Sequence, residues 1–402
     1  MDPKLAALAL FGGPKLRPAP MPPRLALGPA EQAMVEAVFR HYAERQLDPG
    51  YQGHFETLYC QEFAAALGGG HADAVATGTA AVYVAVAALD LPPGSEILVS
   101  PITDPGSINA VIQAGHRVKI VDSKPDSFNI GPQQLLDRIG PATRAVLVVH
   151  AAGQAAEIDT IVTEAHARGI RVIEDCSQAH LARWQGRPVG TFGDIAAFST
   201  MYRKASMTGA SGGVVYTRDL DLHRRGLAYA DRGKTPWIDG FDDKDPDQFV
   251  VPALNYHTDE ISCAIGLASW RRLPETIAAR LDFVRGLDAL HNQSRACRPY
   301  GWTEGDSPFF YPIVVAPERL PVAKTDFARA IAAEGIGLNP HYKYLVADWR
   351  YLRPYLVDDF EPANARSIRD RCFTLFLNEK YGRQEVEDTI AAILKVEHAY
   401  LD

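Results

Sequence analysis

The stretch Val172-Ile173-Glu174-Asp175-Cys176-Ser177-Gln178-Ala179-His180 decides how the rest of the chain is read. An apolar pair leads into two carboxylates and then a polar loop, the pattern of a buried strand that ends where chemistry can begin. The chain repeats this pattern on both sides. Residues 96–100, 117–121, 145–149, 171–174, 195–199 and 213–217 are short runs, most of them rich in Val and Ile, as strands buried on both faces should be. Residues 80–89 are small and apolar all round and predict a buried helix. Residues 132–138 and 159–168 have helical length and mixed polarity. Strands alternating with helices imply a mostly parallel sheet covered by helices, an α/β fold.

Further along, residues 234–248 are acidic, aperiodic and contain Pro and Gly, which predicts a loop. Helices are expected from about residue 259 to 273 and from 277 to 291. Residues 309–315, 324–334 and 384–398 suggest a smaller α+β unit. A chain of 402 residues is too long for one compact core. The expected division is an N-terminal arm (residues 1–30), a large domain (31–275) and a small C-terminal domain (276–402).

Composition narrows the function classes. Hydrophobic residues make up 47% and charged residues 22%, with a net charge of −8 and no basic stripe. Nucleic acid and anionic membranes are therefore not expected as partners. The apolar run at residues 5–11 is too short to span a bilayer and lacks a basic leader. Five scattered cysteines without metal-ligand spacing suggest reduced thiols in the cytoplasm and no metal site.

In an open α/β sheet, ligands collect at the carboxyl ends of the strands. Asp175 stands at such an end, where it can keep a ring nitrogen protonated and strengthen pyridoxal phosphate as an electron sink; it could equally cap a helix. A second constellation, Phe198-Ser199-Thr200-Met201-Tyr202-Arg203-Lys204-Ala205-Ser206-Met207-Thr208-Gly209, connects two strands. A lysine among such small residues can approach a cofactor closely, with burial and Arg203 lowering its pKa. Alone it could be a solvated loop lysine, but Asp175 and Lys204 lie at strand ends of one alternating region. The turn Thr77-Gly78-Thr79 opens the buried helix, where free N–H groups suit a phosphate. Ser199 is a second phosphate donor.

This ordered set resembles the nucleotide-sugar aminotransferases called DegT/StrS, within the fold-type I pyridoxal-phosphate enzymes. The likeness runs from Gly12-Gly13-Pro14 through Thr77-Gly78-Thr79, His150, the Asp175 stretch, Gly190-Thr191-Phe192-Gly193-Asp194 and the Lys204 loop to Asn255-Tyr256 and Glu260. It implies a seven-stranded, mostly parallel sheet and pyridoxal 5'-phosphate as cofactor. Lys204 would hold the cofactor covalently and carry the proton. Asp175 would pair with the ring nitrogen, and Gln178 would face the ring's oxygen side. Gly78, Thr79 and Ser199 would take the phosphate. Asn255 would reach the phosphate of the partner subunit in a homodimer with shared sites. His180, His341 and Tyr342 would fall near the sugar pocket. The implied reaction moves an amino group from glutamate or glutamine to a keto sugar or keto cyclitol. A lyase, dehydratase or cyclase on the same scaffold is the alternative. The related sugar 3-dehydratases carry His at the Lys204 position, which argues against that variant.

Three positions depart from the pattern. Asp104 replaces an aromatic residue that stacks on the cofactor, so it is expected beside the cofactor or turned away from it. The turn after the lysine reads Gly209-Ala210-Ser211-Gly212-Gly213, and Ala151-Ala152 replace an aromatic residue, which should widen the pocket.

Overall fold

The computed structural model describes residues 3–402. Seven strands build the main sheet: β1 (His71–Val75), β2 (Glu96–Val99), β3 (Arg117–Ile120), β4 (Thr143–Val149), β5 (Arg171–Asp175), β6 (Ile195–Ser199) and β7 (Gly213–Thr217). Their spatial order is β1-β7-β6-β5-β4-β2-β3. Only β7 runs against its neighbours. The central strands carry Val, Ile, Leu and Ala because both faces are covered; β4 is buried along nearly its whole length.

One face is packed by the helix Gly78–Ala88. Its small side chains let it lie close to the strands, and Thr77 caps it by accepting from the Ala80 N–H at 2.9 Å. The other face packs against the helices His54–Ala66 and Glu260–Arg271, with Phe63, Phe198 and Trp270 in contact. The register sets Val149 and Asp175, at the carboxyl ends of β4 and β5, beside Ala197 in β6.

A second sheet has strands β8 (Cys297–Pro299), β9 (Tyr311–Val315), β10 (Leu338–Asn339) and β11 (Cys372–Leu375), all antiparallel, in the order β8-β9-β11-β10. The helices Leu273–Gly286, Lys324–Ala333 and Arg383–Leu401 cover it. The N-terminal residues dock here too: Leu8 is fully buried in this core, and Glu334 accepts from the N–H groups of Ala9 and Leu16, both at 2.9 Å. Among the described residues, no helix is long and apolar enough to cross a membrane.

Candidate active site

Lys204 and Asp175 open into one cavity with Gly78, Thr79, Asp104, Gln178 and Ser199. The topology accounts for this, since β5 and β6 are adjacent and parallel, and Lys204 lies on the loop that leaves β6. Asp175 is only 2% exposed. Its Oδ1 accepts from the Ser177 N–H at 3.0 Å, closing a turn rather than capping a helix. Its Oδ2 accepts from Ser107 Oγ at 2.6 Å, and Thr103 Oγ1 lies 3.0 Å from Ser107 Oγ. One carboxylate oxygen is thus held by the Ser107 hydroxyl and the other by a backbone N–H, while the group stays at the cavity wall.

The Lys204 amine is buried, with Nζ 4.2 Å from the centroid of the Phe309 ring. Burial pushes its pKa from 10.5 down to about 8, and the carboxylates of Asp175 and Asp104 oppose the shift. Arg203 has no part in this. It is exposed and folds over the Tyr202 ring, so the sequence-based expectation of a neighbouring-charge effect is corrected.

At Gly78 only glycine fits against the end of β6. A Cβ there would stand 2.4 Å from the Ser199 Cβ. The close approach leaves the first turn of the helix Gly78–Ala88 facing the Ser199 side chain, with Thr79 beside it. Ser199 is fixed from behind, its N–H donating to Ser177 Oγ at 3.0 Å and its carbonyl accepting from His180 Nε2 at 2.9 Å.

Asp104 borders the cavity as the N-cap of the helix Pro105–Gln113, accepting from the Gly106 N–H at 2.9 Å. Gln178 Oε1 accepts from the Ala152 N–H at 2.9 Å. Ala152 holds a left-handed conformation, φ 61°, in a turn held by the Ser307 N–H, which donates to the Gly153 carbonyl at 2.9 Å. Ala151 and Ala152 do not widen the Lys204 cavity as expected. Both are buried in a cluster with Phe128, Phe310 and Tyr342, and neither lines the cavity.

The remaining candidates do not line this cavity. His180 is buried with both ring nitrogens engaged, Nε2 on the Ser199 carbonyl and Nδ1 accepting from the Ser206 N–H at 3.2 Å. Burial, aided by the Lys204 charge, pushes its pKa down to about 3, so the ring is neutral. His341 is half-buried near Lys324 Nζ, 3.4 Å away. Asn255 is exposed in the single chain and donates to the Tyr51 hydroxyl at 3.2 Å. Glu174 serves the fold: it accepts from the N–H groups of Gly190, Phe192 and Gly193 and from His150.

Sequence reasoning missed Ser107 and Phe309. Neither has a local signal, because Ser107 is 68 residues from Asp175 and Phe309 comes from the second sheet's side of the molecule.

A buried amine of lowered pKa, a buried strand-end carboxylate and a helix start pressed against a serine border one cavity. They fit the carbonyl, ring nitrogen and phosphate of pyridoxal 5'-phosphate, and on this sheet they mark a fold-type I pyridoxal-phosphate enzyme. The chain belongs to the DegT/DnrJ/EryC1/StrS aminotransferase family, which it matches over residues 32–394. It is 31% identical to GDP-perosamine synthase of Caulobacter vibrioides over 326 residues, 79% of this chain and 83% of that one. Its fold matches the aminotransferase from Psychrobacter cryohalolentis with a TM-score of 0.85 at 25% identity, covering 93% of this chain and 98% of the other. It also matches the E. coli GDP-4-keto-6-deoxy-D-mannose-3-dehydratase, solved with bound hydrated PLP. There the TM-score is 0.82 at 21% identity, over 91% of this chain and 97% of that one, a likeness of fold.

Proposed function

We propose that this aminotransferase moves an amino group from glutamate or glutamine to the carbonyl of a nucleotide-linked keto sugar or a keto cyclitol. The observation that carries the reading is the Lys204 amine, buried in the same cavity as Asp175 with its pKa brought down to about 8. At pH 7 roughly a tenth of such an amine is neutral, against about one part in 3,000 for an ordinary lysine. A neutral amine is what covalent attachment and proton transfer both require.

The cofactor supplies the electron sink for the bond made and broken at the substrate carbon. The chain's residues do the rest. Lys204 anchors the cofactor and then carries the proton at that carbon. Asp175, steadied by Ser107, keeps the ring nitrogen protonated, and Gln178 faces the ring's oxygen side. Gly78, Thr79 and Ser199 hold the phosphate. Asp104 borders the same space with an exposed carboxylate. Of the sugar-pocket candidates, His180 is hydrogen-bonded to the Ser199 carbonyl, while Tyr342 and His341 lie outside the cavity lining. Asn255 completes the site of the partner subunit in a homodimer; its exposure in the single chain supports this. The relative named GDP-perosamine synthase supports a nucleotide-sugar acceptor.

The test is a two-stage assay. Amino donors are screened by loss of the cofactor's visible absorption, and the converted enzyme is then offered keto sugars and keto cyclitols. Nitrogen-15 from labelled glutamate or glutamine should appear in the product. Product formed without the label would favour a lyase or dehydratase instead.

A further inference from the structure

Lys204 is gripped on its backbone side by charges from distant parts of the chain. Arg24 Nη1 donates to the Lys204 carbonyl at 2.6 Å and to the Tyr202 carbonyl at 3.1 Å, while Nη2 donates to the Ala205 carbonyl at 2.8 Å. Arg24 Nε donates to Glu379 Oε1 at 2.8 Å. The other Glu379 oxygen accepts from Arg280 Nη2 at 3.0 Å, and Arg280 Nη1 donates to the Pro308 carbonyl at 3.1 Å. The next residue, Phe309, is the ring that faces Lys204 Nζ. The path leaves the lysine through its own carbonyl and returns to its amine through Phe309.

Stability alone is a poor reason for this arrangement. Arg280 is 1% exposed, and burying charges usually gains little over well-packed apolar side chains. What such a network does provide is a fixed geometry. Each guanidinium is a rigid fork that binds several acceptors at once, which a lysine cannot reproduce. The Phe309 segment is restrained at Ser307 as well, whose N–H donates to the Gly153 carbonyl at 2.9 Å.

We propose that Arg24, Glu379 and Arg280 are positioning residues that set the depth of the Lys204 amine in the cavity by clamping the lysine loop and the Phe309 segment together. The proposal rests on Lys204 being the reactive amine and is independent of the donor and acceptor.

Two variants of the full chain test it, Arg24→Lys and Glu379→Gln. In cofactor-free protein, acetylation of Lys204 by acetic anhydride is measured by mass spectrometry against exposed Lys244 as internal reference. In cofactor-loaded protein, kcat and KM are measured. A misplaced reacting group costs on the order of 10–100-fold, so kcat should fall by about that much with KM little changed. Lys204 acetylation should change relative to Lys244 in the same variants. A folded variant with wild-type Lys204 labelling and wild-type kcat overturns the proposal. Failure of both variants to fold also overturns it, by showing that the network holds the fold and not the lysine. If the substrate assignment is wrong, the labelling of cofactor-free protein still gives its answer.

Discussion

Ser107 Oγ donates a 2.6 Å hydrogen bond to Asp175 Oδ2, joining the first turn of one helix to the end of a central strand. A carboxylate meant to hold a ring nitrogen must keep one orientation, and this bond supplies it. Hydrogen bonds to charged groups contribute about 1.5–3 kcal/mol. Ser107→Ala should therefore lower turnover roughly 10- to 100-fold while cofactor remains attached. Steady-state kinetics beside a cofactor absorbance spectrum checks this; unchanged turnover would reduce Ser107 to a packing residue.

His180 should make the protein acid-sensitive. Its pKa is about 3 in the folded chain against 6.5 for an ordinary histidine, so between these values the unfolded chain binds the extra proton. This contribution to stability is complete above pH 6.5 and is lost as pH falls toward 3, at up to about 1.4 kcal/mol per pH unit. His180→Asn should flatten the pH dependence of urea unfolding between pH 4 and 6. It should also weaken cofactor retention, because Ser199 loses the donor to its carbonyl.

Asp104→Asn separates charge from capping. Asparagine still accepts from the Gly106 N–H, so the helix Pro105–Gln113 should remain and thermal stability should change little. The lost negative charge no longer favours the Lys204 ammonium, so the amine's pKa should drop below about 8. Cofactor capture by cofactor-free protein, followed against pH, should show its midpoint displaced toward acid. A midpoint displaced toward alkali would mean that Asp104 acts some other way.

Much of this molecule could be read from its residues. The strands of the main sheet with Val- and Ile-rich runs lie where expected, because a strand covered on both faces must be apolar. The exception is β1, His-Ala-Asp-Ala-Val at an edge, whose mixed composition carries no strand pattern. The helices Pro29–Arg45 and His54–Ala66 were not anticipated, and β8, β10 and β11 are too short to show a period. Within the site, Asp175, Lys204, Gly78 and Ser199 share a local logic of strand ends and helix starts. Ser107, Phe309, Arg24 and Arg280 do not, since each acts across the fold and only the packed structure brings it there.

The central claim is that Lys204 is the amine that bonds the cofactor, and one measurement addresses it directly. The cofactor-loaded protein is reduced with borohydride, digested, and mapped by mass spectrometry. A pyridoxyl group on Lys204, with the labelled peptide lost in Lys204→Ala, is the expected result. A pyridoxyl group on Lys234 or another lysine, with Lys204 unmodified, would contradict the account.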